Sequence, residues 1–175
     1  MLRSGSWFLA SLRRALISTA VVVALSVAAG TGAPRAAAPP PGTELVVVVG
    51  AGSPMRDISR STLRRAYLGE VTEDHGARLV PLNQPPGAPA RVAFDRALLG
   101  LPPDAIARFW IDQRIRGQGS APRAIPTVPL LLRVLAQLPG GISYLRRADL
   151  PANTTTVKVL TVDGKKPGDA GYLFP

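Results

Sequence analysis

The sequence has no cysteine. This removes a disulfide framework, a thiolate zinc site, a cysteine nucleophile and a lipid-modified N-terminal cysteine. A single histidine, His75, excludes every site that needs two imidazoles. Aromatic residues make up only 5% of the chain, and none interleaves with arginines as a base-stacking platform for nucleic acid requires. Acidic residues are also few: 11 against 21 Lys and Arg, for a formal net charge of +10. The longest apolar stretch, Ala15 to Ala29, falls short of the roughly 20 residues that a membrane-spanning helix needs.

What is present is a chain of 175 residues, 46% apolar, which fits one globular domain and not a disordered polymer. The N-terminal region reads as a targeting segment. Arg3, Arg13 and Arg14 form a positive n-region, the Ala15–Ala29 run forms the apolar h-region, and Ser26-Val27-Ala28 or Val27-Ala28-Ala29 offers a small-residue cleavage pattern. Residues 1–38 are therefore expected to be a signal peptide with a small-residue linker, with an uncleaved anchor as the alternative. Arg13-Arg14 also fits a twin-arginine signal loosely. Residues 39–44 form a stiff, proline-rich linker, and 45–175 the folded domain. The expected location is the periplasm.

Arg3, Arg13, Arg14 and Arg35 fall outside the folded part, leaving 17 basic against 11 acidic residues, or +6. On an exported protein that balance is a field for anions, not a nucleic-acid footprint.

The pattern beyond the linker alternates strands with helices. Leu45–Val49 is a β-branched run suited to a strand buried on both faces. Ser59 caps a helix running to Tyr67, and Arg78–Leu82 is a short strand. Pro89 opens a helix to Leu99 that ends at Gly100. Pro102-Pro103 opens another, with Ile106, Phe109, Trp110 and Ile115 as its apolar face. Thr127 caps a helix to Gln137, and strands follow at Ile142–Leu145 and Thr156–Val162. Such alternation argues an α/β layer structure.

No catalytic constellation emerges. Ser53 or Ser120 as nucleophile has only His75 as a base, and there is no G-x-S-x-G elbow. The cluster Glu70, Glu73, Asp74 and His75 matches no metal-ligand spacing, so no metal, no cofactor and no enzymatic activity are expected. The loop Gly50-Ala51-Gly52-Ser53 follows a strand and can present N–H groups to an anion, but it lacks both the dinucleotide and the P-loop signatures.

Six segments in order resemble phosphate ABC-transporter substrate-binding proteins. They are Leu63-Arg-Arg-Ala-Tyr-Leu-Gly-Glu70, Leu79-Val-Pro-Leu-Asn-Gln84, Arg108-Phe-Trp110, Gly117-Gln-Gly-Ser-Ala-Pro122, Leu138-Pro-Gly-Gly-Ile-Ser-Tyr-Leu145 and Val157-Lys-Val-Leu-Thr-Val-Asp-Gly164. The resemblance implies an α/β, class II periplasmic-binding-protein-like fold: here a single lobe with helices packed on a mixed sheet. It also implies inorganic phosphate or another oxyanion as ligand and an ABC permease or other envelope protein as partner. Members of that family hold phosphate with a loop of hydroxyls, N–H groups and an arginine. The matching stretch, Asn83-Gln-Pro-Pro-Gly-Ala-Pro89, has no Ser, Thr or Arg. Ser53, Asn83, Gln84 and Arg91 are then the expected anion contacts, with weak affinity. The alternative is an envelope protein-interaction module that keeps the fold and has lost the anion site.

Overall fold

The run from Leu45 to Val49 becomes an interior strand of the main sheet in a computed structural model that describes residues 44–174. The expected export segment and almost all of the 39–44 linker lie outside those residues. In chain order the elements are β1 (Leu45–Gly50), β2 (Asp57–Ile58), α1 (Arg60–Tyr67), β3 (Glu73–Asp74), β4 (Ala77–Arg78), β5 (Val80–Asn83) and α2 (Pro89–Leu99). There follow α3 (Pro103–Ile115), β6 (Arg123–Ala124), α4 (Val128–Gln137), β7 (Gly141–Arg146), β8 (Val157–Val159) and β9 (Thr161–Val162).

The main sheet has the order β6-β5-β7-β1-β8. Strands β6, β5 and β7 run parallel, whereas β1 is antiparallel to both its neighbours, β7 and β8. All six residues of β1 are buried, because its alternating side chains enter two different cores. Val47 and Val49 join α1, α2 and α3 around Phe94, Tyr144 and Trp110. Val46 and Val48 join Leu131 and Leu135 of α4 on the other face. This is the expected mixed α/β sandwich with helices on both faces.

Local signals work as their chemistry suggests. The Ser59 side chain accepts from Thr62 N–H at the start of α1, and Pro89 occupies the first turn of α2. Gly100 closes α2 at φ +72°, where a side chain would be strained. Three expectations need correction. The strand expected from Arg78 starts at Val80, because Arg78 pairs instead with Glu73 in the β3–β4 hairpin. The strand expected over Thr156–Val162 divides at Leu160: β8 pairs with β1, and β9 pairs with β2 in a separate two-stranded sheet. Ile115 is 79% exposed, because α3 turns its last residues off the core.

Candidate functional site

In open sheets with parallel strands, ligands sit beyond the carboxyl ends of those strands. Here that end gathers the exits of β5 and β7 and the starts of α2 and α4, because each helix follows a parallel strand. A cleft of about 480 Å³ opens there, walled by Gln84, Pro89, Ala90, Pro129, Arg146 and Asp149. The positive ends of two helix dipoles face this region. Pro129 removes one N–H of α4, and Thr127 Oγ1 caps another, that of Leu130, at 3.4 Å. Helix α2 has no side-chain cap, so the N–H groups of Ala90 and Arg91 have no intrahelical acceptor.

Three of the expected contacts come together at this end. Asn83 is buried, and its Oδ1 accepts from the Tyr144 hydroxyl and, at 3.0 Å, from Gln84 N–H. Gln84 Nε2 donates to the Tyr144 carbonyl at 3.1 Å. Arg91 Nη1 donates to the Gln84 carbonyl at 3.0 Å, and its Nε lies 3.4 Å from Asp95 Oδ2. Arg91 and Asp95 are both largely buried, so each charge is held chiefly by the other. Burial pushes the Asp95 carboxyl above its ordinary value, against the pull of Arg91. Burial also raises the Tyr144 phenol, with the Asp95 charge adding to it.

Ser53 stands apart. Because β1 runs antiparallel to β7, it exits the sheet at the opposite end from β5. There Ser53 Oγ accepts from Met55 N–H at 3.3 Å, and its carbonyl accepts from Lys158 Nζ. The N–H groups of Ala51 and Ser53 are taken by the Thr156 and Gly50 carbonyls. The small cavity at Ser53, about 240 Å³, meets the C-terminal turn of α4, a negative dipole end.

The sequence reading passed over Asp95, Tyr144, Arg146 and Asp149. Arg146 reaches the cleft from the end of β7 and donates twice to Asp149, at 2.8 and 2.9 Å, which holds its guanidinium pKa above the ordinary value. The i,i+4 spacing of Arg91 with Asp95 and the i,i+3 spacing of Arg146 with Asp149 were the available signals. Of the acidic cluster, Glu73, Asp74 and His75 fall in the β3–β4 hairpin, where His75 takes φ +49° with Nδ1 3.2 Å from Asp74 Oδ1, while Glu70 stands apart.

Neither a family model nor a curated protein matches the sequence. The fold, however, is shared with solved structures. An ABC-type phosphate transport receptor from Vibrio cholerae aligns at 11% identity and TM-score 0.52, over 71% of this chain and 48% of that one. A phosphate ABC transporter substrate-binding protein from Clostridium perfringens, solved with bound phosphate, aligns at 15% identity and TM-score 0.55, over 71% of this chain and 46% of that one. PstS from Borrelia burgdorferi aligns at 12% identity and TM-score 0.50, over 71% and 49%. The chain thus spans about half the length of the receptors it matches. Its fold is that of a single-lobe portion of such a binding protein.

Proposed function

We propose that this chain is an exported, non-enzymatic binding protein of the phosphate-receptor type. Its cleft beyond β5 and β7 takes inorganic phosphate or a similar oxyanion weakly. The observation that carries this reading is the start of α2, which has no side-chain cap and whose Ala90 lines the same cleft as Gln84 and Arg146. Such a helix start favours an anion both by its donors and by its dipole. Arg91 acts from behind, holding the Gln84 carbonyl and so the loop that enters the helix. The cleft of this lobe is open, so an ion bound there keeps contact with water, which keeps affinity low.

Calorimetric titration of the purified protein with phosphate and with sulfate tests this. Binding is expected in the range of about 1 mM, and Asp149→Asn should tighten it by releasing Arg146. No heat at millimolar ligand, in wild type and variant alike, sinks the reading. Export is tested separately: N-terminal sequencing of protein recovered from the periplasm should begin just after Ala28 or Ala29.

One observation favours a second reading. Arg146 at the cleft and Arg91 behind it already have carboxylate partners, Asp149 and Asp95. A cleft whose cations are neutralised from within fits an envelope protein-interaction module that keeps the fold and has lost its anion. An ABC permease or another envelope protein is then the partner. That reading expects no oxyanion binding even in Asp149→Asn.

A further inference from the structure

A larger cavity lies away from that cleft. It is an open groove of about 820 Å³ along the β5–β6 edge of the sheet, between α4 and the segment 69–71. Its lining is mostly apolar and far too large for a small oxyanion. One wall is Leu130 and Val134, one turn apart on α4, continued by Leu138 at its C-cap. Leu131 and Leu135 are the fully buried grip of α4 on the sheet; Val134 and Leu138 are half-buried against the same core and show their outer sides to the groove, and Leu130 is 37% exposed. On the opposite wall Val71 is 68% exposed. The two sides of the sheet are also unequally covered. Helices α1, α2 and α3 cover one face, and α4 alone packs on the other among the described residues.

The groove's rim is basic. Its one carboxylate, Glu70, is bound by Arg65 at 2.7 Å. Arg78 and Arg123 are exposed, and neither forms an ion pair among the described residues; Glu73, across the hairpin from Arg78, does not reach it.

The stretch of β5 that β6 leaves uncovered is closed to an added strand, and β6 itself is only two residues long. Leu79 N–H donates to the Thr72 carbonyl at 2.8 Å, Pro81 has no N–H, and the Asn83 carbonyl accepts from Ile125 N–H at 2.8 Å. An incoming strand would find almost no main-chain partner there. An occupant must therefore dock by side chains.

We infer that this groove binds an amphipathic helix of a partner protein, one that lays an apolar stripe against Leu130, Val134 and Leu138 and presents carboxylates to Arg78 and Arg123. Helix-in-groove docking matches the turn-by-turn spacing on α4, and the unpaired rim arginines set the partner's charge. The inference stands apart from oxyanion binding at the other site.

The test uses two synthetic peptides of about four helical turns, with the same leucine stripe and either glutamate or lysine on its flanks. Binding to the full chain is followed by fluorescence anisotropy. The glutamate peptide is expected to bind and the lysine peptide not to. The double variant R78E/R123E, whose fold is checked by circular dichroism, should weaken the glutamate peptide at least about tenfold and admit the lysine peptide. Leu130→Glu, at a partly exposed site, should abolish binding of the glutamate peptide. Equal binding of the two peptides, binding of neither, or an unchanged preference in the double variant overturns the proposal. So does a concentration-dependent dimer, or adsorption to phosphatidylglycerol vesicles, that Leu130→Glu abolishes while the glutamate peptide fails to bind. Those results would give the groove to a second copy or to lipid.

Discussion

Phe94 lies flat on Tyr144, with ring centroids 3.7 Å apart and planes 8° from parallel. This stack is how α2 grips β7, and the Tyr144 hydroxyl extends the contact to Asn83 at the end of β5. One side chain thus ties a helix to two strands, with its ring in the core and its hydroxyl in the polar network behind the cleft.

Shortening the two partners should therefore have unequal costs. Tyr144→Phe keeps the ring stack and removes one donor to Asn83, for a loss of about 1–2 kcal/mol. Phe94→Ala removes a fully buried ring that also contacts Tyr67 and Phe174, for about 3–5 kcal/mol. Urea denaturation of both variants checks the order, and a reversed order would contradict the packing described.

Asp95 should give the protein an unusual response to acid. Its folded pKa lies above the ordinary 3.8, mainly through burial, so between those two values the folded state holds more protons than the unfolded one. Stability contributed by this group therefore rises as pH falls through that window, the reverse of an exposed paired carboxylate. Wild type should gain on Asp95→Asn as pH is lowered from neutral through the carboxylate range. Arg91→Met, which removes the group pulling the pKa down, should widen the window. A difference between wild type and Asp95→Asn that is flat with pH would refute this.

All three tyrosines of the protein, Tyr67, Tyr144 and Tyr172, have phenols raised above 10. Burial is the leading cause in each, and Tyr172 is pushed up to about 12. Neutral phenols are thus favoured by folding, and the stability they provide is complete below the unfolded value of 10 and is lost above it. Ultraviolet absorbance should show no tyrosine ionising near pH 10 while the protein stays folded. Ionisation should coincide with alkaline unfolding followed by far-ultraviolet circular dichroism. A separate absorbance step near 10 would show an exposed phenol.

Gly140 is a position no other residue should tolerate. It takes φ +75°, and a Cβ built there would stand 2.0 Å from the Arg78 carbonyl oxygen. Both objections concern backbone, which a rotamer change cannot relieve. Gly140→Ala should cost about 3 kcal/mol or more. Gly52→Ala, with open space around it and no positive φ, should be nearly neutral, and thermal melts of the two variants check the contrast.

Much of this was legible from local signals, and the failures share one physical origin. Pro89, Gly100, Ser59 and Thr127 marked helix ends because capping and proline geometry act within a few residues. The five-residue apolar run of β1 announced burial on both faces. Nothing local shows that Leu160 is where a strand leaves one sheet for another, since the run Thr156–Val162 is uniformly suited to extended chain. Ser53 and Asn83 look equivalent, both in loops after strands; only the antiparallel setting of β1 puts them at opposite ends. Asp95 reads as a surface residue of an amphipathic helix until Arg91 and Tyr144 close around it. The basic groove was invisible because β4, β6 and α4 contribute its parts from distant segments.

The insertion of β1 between β7 and β8 has a consequence for synthesis. Leu45 pairs with Arg146, about a hundred positions later, so the first strand made is nearly the last to be satisfied. Until β7 and β8 have left the ribosome, the most apolar segment of the domain has no partner on either side. The sheet cannot close progressively as the chain emerges. The nascent protein should stay protease-sensitive for nearly its whole length and gain resistance in one late step.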